Sequence, residues 1–349
     1  MRTRLGQLGV SCAAITLLWG CSSNGAPAGQ RSPAEQVRRE ALARARVFHD
    51  TARPEVLRGA WTHPTDFTCR YVPIPTSGTS PKFTCELEDG TRVKVKYGNP
   101  EVPAELAASR LLQALGFGAD RMQLASRVRC YGCPATPFYV RRAAESTPLG
   151  ELVRDTPDYT RYRDFTWTAV EQKLEGESLE GDSEGWGFFE LEHIDPARGG
   201  ATREEVDALR LIAIFLVHWD NKSPNQRLVC LPPSAHGSCT TPLVMLQDVG
   251  ATFGPRKVDL DDWRDMPVWA DDTGCRVSMA SLPHDGGTFP KDVHISDGGR
   301  RLLASRLAAL SRADVVSLFT HARFPGRVED WVDAFQQKVD QIASRRCAS

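Results

Sequence analysis

The 349-residue chain has almost no net charge: 43 Lys and Arg stand against 44 Asp and Glu, a formal balance of −1. That balance removes nucleic acid as a default partner, since a basic surface is the usual electrostatic footprint of nucleic-acid binding. The chain also lacks an internal repeat and a heptad run, which excludes solenoids and coiled coils. Its only leading apolar run is too short for a membrane-spanning helix. No second C-x-x-C accompanies Cys130-Tyr-Gly-Cys133, so a four-thiolate zinc site lacks half its ligands, and no thioredoxin-like βαβ pattern surrounds the pair. With 41% hydrophobic and 25% charged residues, the chain suits a folded body of two lobes around a cleft.

What is present is a set of carboxylate, amide and lysine groups at informative spacings. Residues 218–225 read His-Trp-Asp-Asn-Lys-Ser-Pro-Asn, and residues 248–250 read Asp-Val-Gly. Moving a terminal phosphoryl group requires metal ions held against phosphates and a carboxylate aimed at the incoming hydroxyl. Asp220 is the candidate for that carboxylate, with Lys222 near the transferred group and His218 in the same catalytic string. Asn225 is placed to turn back and hold a metal ion through its amide oxygen, and Asp248 to be the main metal ligand. Leu209 to Val217 predicts a buried helix delivering the first loop, and Val244 to Gln247 a short strand delivering Asp248. Singly each piece is ordinary, since Asp-Val-Gly is a common turn. Their order, and the apolar elements before both loops, carry the reading. The long gap from Asn225 to Asp248 holds Cys230 to Cys239, read as a disulfide-closed hairpin.

The first half of the chain supplies complementary groups. Residues 92–97 alternate as a half-buried strand does, placing Lys94 and Lys96 on one face, and Val93 to Lys96 fits the V-A-[IV]-K lysine pattern except at its second position. A helix is expected over 103–116, opened by Pro103 and closed by Gly116. Glu105 is expected in its first turn as the partner of Lys96, with Glu101 as the alternate. Ser77 to Phe83 reads as a hairpin tip between the segment 67–72 and a strand at 83–88, where backbone amides and Lys82 can cover phosphates. Gly185 to Glu192 reads as an aromatic strand forming a hinge, with Glu190 and Glu192 at the edge of an adenine slot. Residues 144–184 read as a polar insertion near the cleft. Residues 34–48 form an amphipathic packing helix, and helices are expected at 299–312, 313–321 and 327–346.

The Ser-Gly-Thr-Ser-Pro-Lys-Phe tip, Val-Lys-Val-Lys, the Glu-Leu-Ala-Ala-Ser-Arg-Leu-Leu-Gln-Ala-Leu-Gly-Phe helix, Asp-Asn-Lys-Ser-Pro-Asn and Asp-Val-Gly together resemble the HipA-like branch of the protein-kinase-like superfamily, which includes phosphatidylinositol 3/4-kinases. The resemblance spans roughly residues 70–255. It implies an α+β, two-lobed protein-kinase-like fold with an antiparallel-sheet N-lobe over 36–189 and a mainly helical C-lobe over 190–349. It also implies binding of ATP with Mg2+ or Mn2+, nucleotide roles for Gly78, Lys82 and Lys96, and catalytic or metal roles for Asp220, Asn225 and Asp248. The acceptor does not carry over. Glu105 follows Lys96 by only nine residues, and no Ala-Pro-Glu anchor follows Asp248. Two departures from the ordinary kinase pattern thus stand at the lysine partner and the activation segment.

Arg2 and Arg4, an apolar stretch and Leu18-Trp-Gly-Cys21 resemble a bacterial lipoprotein signal. On that reading residues 1–20 are removed, Cys21 is lipidated, and residues 21–35 form a flexible tether. Ser22 favours the outer membrane, placing the protein in the bacterial envelope outside the cytoplasm. Ten cysteines less Cys12 and Cys21 leave eight, an even number suited to disulfides in an oxidising compartment. Proximity suggests Cys69 with Cys85, Cys130 with Cys133, Cys230 with Cys239 and Cys275 with Cys347. The competing functions are a nucleotide-binding pseudokinase, an adenylyltransferase, and a metal-dependent hydrolase using His218, Asp220, Asp248 and either His284 or His294.

Overall fold

The computed structural model describes residues 32–59, 65–76, 78–98, 100–146, 157–232, 239–283 and 287–347. Cys21, Ser77 and His284 lie outside them. Helix α1 (Pro33–Ala43) begins with proline at its first position and Ser32 as N-cap, the serine hydroxyl accepting from the Glu35 N–H. It ends earlier than its amphipathic pattern suggests, because the chain beyond Arg44 straightens to bridge Arg46 with Leu243. Phe48 in turn bridges to Phe117, so this segment touches both halves of the chain.

A barrel follows: β1 (Thr65–Val72), β2 (Lys82–Glu86), β3 (Arg92–Lys96), helix α2 (Glu101–Ala114), β4 (Arg121–Tyr131), helix α3 (Pro137–Ser146) and β5 (Tyr162–Gln172). The strand order is β1-β2-β3-β5-β4, closed where β1 runs parallel to β4. Period-two alternation explains its lining. Phe83, Val95 and Val170 sit at paired positions across β2, β3 and β5 and fill the interior with Tyr71, Val93 and Val128. The residues between them, lysines above all, face outward toward α2. Closure removes the free strand edges that an open sheet leaves exposed.

Within the stretch 144–184, residues 162–172 are not part of an insertion but form β5, which pairs with β4 and β3. Residues 162–167 of β5 are mostly solvent-facing, so no alternation between buried and exposed faces marks the strand there, and only Thr168 to Glu171 are buried. Gly185 to Glu192 is likewise not a strand. Trp186 and Phe188 are buried anchors, the Trp186 indole donates to the Arg227 carbonyl at 3.0 Å, and Phe188–His193 winds as a 3-10 helix capped by Glu190 on the Gly187 N–H at 2.8 Å.

The second half is mainly helical. It comprises β6 (Glu177–Ser178), α4 (Arg203–Leu216), β7 (Gln226–Cys230), β8 (Pro242–Leu246), α5 (Leu260–Asp265), β9 (Arg276–Val277), β10 (Val293–His294), α6 (Asp297–Ala308), α7 (Arg312–His321) and α8 (Val328–Ser344). A capping box of Thr202 and Glu205 starts α4, whose face from Val206 to Leu216 is buried. Phe253, Trp263, Phe319, Phe324 and Trp331 stack edge-to-face or tilted around it, with Phe253 and Trp263 5.1 Å apart and Phe324 and Trp331 4.7 Å apart. This core makes a rigid floor for the loops above it. No helix among the described residues is long and apolar enough to cross a membrane.

All four expected cysteine pairings form: Cys69–Cys85, Cys130–Cys133, Cys230–Cys239 and Cys275–Cys347. The last ties the end of α8 to β9 across 72 residues. Changing Cys275 and Cys347 together to Ser is expected to lower unfolding stability by about 4 kcal/mol, the loop-closure value for a loop of this length. Urea unfolding midpoints for the two proteins measure it, and an unshifted midpoint would show that the tail is held by packing alone.

Candidate active site

Two cross-strand rows on the outer face of the barrel build one wall of the site. Lys82, Lys96 and Ala169 pair across β2, β3 and β5, and beside them Thr84, Lys94 and Glu171 do the same. Lys96 lies at the centre. Its ammonium is 2.5 Å from Glu105 Oε1, 3.1 Å from Glu171 Oε2 and 3.3 Å from Asp248 Oδ1. Lys94 holds the other oxygen of Glu171 at 2.7 Å, and Lys82 approaches Asp248 Oδ2 at 3.9 Å. Lys96 and Glu105 are each 2% exposed, so neither charge would be tolerated there without the other. Glu105 sits a full turn inside α2, since the helix begins at Glu101 rather than near Pro103.

The electrostatics follow from this crowding. Burial works against the charge on Lys96, but Asp248, Glu105 and Glu171 outweigh it and raise its pKa well above the ordinary lysine value. Lys96 in turn, against some burial, holds Asp248 well below the usual carboxylate range. Glu171 is buried too, yet Lys96 and Lys94 together bring it down to about 2. Burial dominates for Glu105, whose single lysine partner leaves it raised to about 7. Burial also lowers Lys82.

The opposite wall is the loop after α4. Val217 ends the helix in a left-handed conformation at φ 55°, turning the chain sharply into residues 218–225. Asn225 donates through Nδ2 to the Asp220 carbonyl at 2.5 Å, and the Gln247 N–H donates to the Asn225 carbonyl at 2.9 Å. The catalytic-loop candidate and the Asp248 segment are thereby joined through backbone. Lys222 stands 3.1 Å from Asp220 Oδ2. Asp248 itself is left-handed, at φ 49°.

A cavity of about 560 Å³ opens between the walls, lined by Gly78, Lys82, Lys94, Asn225, Asp248 and Lys222 among others. Gly78 has φ +81°, the left-handed region that favours glycine, and a Cβ there would stand 3.2 Å from Nζ, the flexible end of the Lys82 side chain. Its carbonyl accepts from Arg142 at 2.5 Å. Because the Asn225 amide nitrogen is committed to Asp220, its amide oxygen is the atom left for a cation. With the ionised Asp248 this makes an all-oxygen pair of the kind hard divalent cations take.

Three expected site residues are placed elsewhere. His218 does not line the cavity; it is 0% exposed, neither ring nitrogen has a hydrogen-bond partner among the described residues, and burial lowers its pKa to about 4, so the ring is neutral. Glu190 pairs with Arg38 at 2.5 Å, and Glu192 pairs with Arg210 at 2.6 Å. Both are consumed by arginines away from the cleft. His294 is exposed on β10, so the histidines of the hydrolase alternative do not gather with His218 among the described residues. Two residues escape sequence reasoning. Glu171 had a signal, a carboxylate ending the apolar Thr-Ala-Val run. Asn221 had none: it donates to the His218 carbonyl at 2.9 Å and accepts from the Thr288 and Phe289 N–H groups at 2.7 and 3.0 Å, pinning the loop from below.

No family model matches the chain, and no curated protein matches it. Among solved structures, the chain is similar to the crystal structure of a Helicobacter pylori proinflammatory kinase, CtkA, with 11% sequence identity and a TM-score of 0.45, over 81% of this chain and 95% of that one.

A carboxyl group whose folded pKa is raised to about 7 contributes stability that is fully present below its unfolded value and lost as pH rises through 7. The Glu105 carboxyl carbon, followed by NMR against Glu105→Gln, is expected to titrate near that value. A midpoint below 5 would mean that Lys96 keeps Glu105 fully ionised.

Proposed function

We propose that the chain is an ATP-dependent phosphotransferase, working with Mg2+ or Mn2+ and passing the terminal phosphoryl group to a hydroxyl acceptor, protein hydroxyls among the candidates. One observation carries the reading: Lys96 of β3 is held between Glu105 of α2 and Asp248 after β8, and Asp248 lines a cavity with Lys82, Lys94, Lys222 and Asn225, the last two from the loop that carries Asp220. That arrangement suits charge neutralisation and positioning, which is nearly all that phosphoryl transfer asks of a protein.

The roles follow from placement. Lys96 and Lys82 offset phosphate charge, and the backbone at Gly78 can approach because no side chain intervenes. Asn225 and Asp248 would hold the divalent ion, which when bound draws charge from the phosphate oxygens. Asp220 accepts the proton of the acceptor hydroxyl as its oxygen bonds to phosphorus and the bond to the departing diphosphate breaks. Lys222 adds positive charge beside that path. The leader, Cys21 and four disulfides support attachment to the bacterial envelope on the side away from the cytoplasm.

The test is incubation of the soluble form beginning at Ser22 with γ-labelled and, separately, α-labelled ATP and either metal ion. Transfer of γ-label is expected, lost in Asp248→Ala and slowed roughly 10²–10⁴-fold in Asp220→Ala, the usual contribution of a general base. Transfer of α-label would establish an adenylyltransferase. Nucleotide binding without any transfer would establish a pseudokinase.

A further inference from the structure

The segment after Asp248 has no sequence anchor of the usual kind, yet it is tightly wound. Phe253, Lys257 and Val258 are all left-handed, at φ 57°, 64° and 53°, a conformation that β-branched valine seldom adopts. Hydrogen bonds hold the hook closed: Lys257 N–H to the Gly254 carbonyl at 3.0 Å, Val258 to Thr252 at 3.2 Å and Asp259 to Phe253 at 2.9 Å. Phe253 is fully buried in the aromatic core.

The hook delivers Lys257 to Glu101 in the first turn of α2, where the two form an ion pair. The second oxygen of Glu101 accepts from the Ser80 hydroxyl. Ser80 lies midway between Gly78 and Lys82, both of which line the cavity. The Lys257 ammonium also stands 5.8 Å from the centre of the Trp219 ring, in the loop that carries Asp220. Glu101 and Ser80 are 7% and 8% exposed. The fit of hook to helix is close: a Cβ on Gly250 would lie 3.1 Å from both Glu101 Cβ and Glu105 Oε2.

We propose that Glu101 and Lys257 are positioning residues, a latch that ties the loop of Gly78 and Lys82 to the Asp248 segment and the catalytic loop. The inference rests on reading the cleft as a nucleotide site. With the latch made, the loop is ordered before nucleotide arrives, so binding does not bear that ordering entropy and no separate ordering event is needed. The sequence had offered Glu101 as an alternate partner for Lys96; the structure gives it this other work.

Hydrogen–deuterium exchange of the full-length, detergent-extracted protein without nucleotide tests the latch independently of catalysis. In Lys257→Met and in Glu101→Gln, amides of residues 78–82 are expected to exchange about tenfold faster while β3 and α8 keep their protection. Lys257→Arg is expected to retain wild-type protection. In the transfer assay, the two disruptive variants should raise the KM for ATP about tenfold with kcat little changed, the signature of lost preorganisation. Unchanged exchange at 78–82 in both variants overturns the latch, whatever the protein's activity. If Lys257→Met unfolds, Glu101→Gln, which preserves size, decides. Absence of transfer in wild type, with accelerated loop exchange in the variants, would overturn the phosphotransferase reading and leave the latch standing.

Discussion

The ammonium of Lys96 is the point on which the site depends. It sits among carboxylates from a helix, a neighbouring strand and a distant loop, at 2.5, 3.1 and 3.3 Å. A lysine this deeply buried cannot keep its charge without them, and they cannot all keep theirs without it. The packing of α2 against the barrel, the register of β5 beside β3 and the seating of the loop after β8 are thereby conditions on one another. A shift in any of them leaves a buried charge unpaired, which costs several kcal/mol. Lys94 completes the balance by sharing Glu171.

Strain gathers around the same place. Val217 and Asp248, the residues that swing the two loops into the cleft, are both left-handed. Conformations of this sort cost on the order of 1–3 kcal/mol each and persist only where the surroundings fix them. Here the surroundings are the aromatic core below and the backbone link from Gln247 to Asn225. The fold thus places its rigidity under the site and its strain at the rim.

The loops were legible because their groups are local: Asp220, Lys222 and Asn225 lie within one short loop, and Asp248 follows an apolar strand. Lys96 and Glu105 were legible because strand alternation and helix periodicity each fix a face. Glu171 was not, since it lies 77 residues from Lys94 and reaches it only through barrel closure. The hinge failed for a related reason. Trp186 and Phe188 give an aromatic run that suits a strand, and only tertiary contacts show that Arg38 and Arg210 take the adjacent carboxylates. The cysteine pairings were recoverable where partners stand close in sequence or flank a single terminal segment.

The distribution of those disulfides has a mechanical consequence. Cys69–Cys85 and Cys130–Cys133 lie wholly in the barrel, whereas Cys230–Cys239 and Cys275–Cys347 lie wholly in the helical part. None spans the cleft, and the backbone passes from β5 into the helical part between Gln172 and Glu177. Covalent bracing therefore acts within each part, while a shared apolar core and ion pairs such as Lys96–Asp248 join the two. Apart from the backbone, the two walls of the cleft are thus held to one another by non-covalent contacts, that ion pair among them.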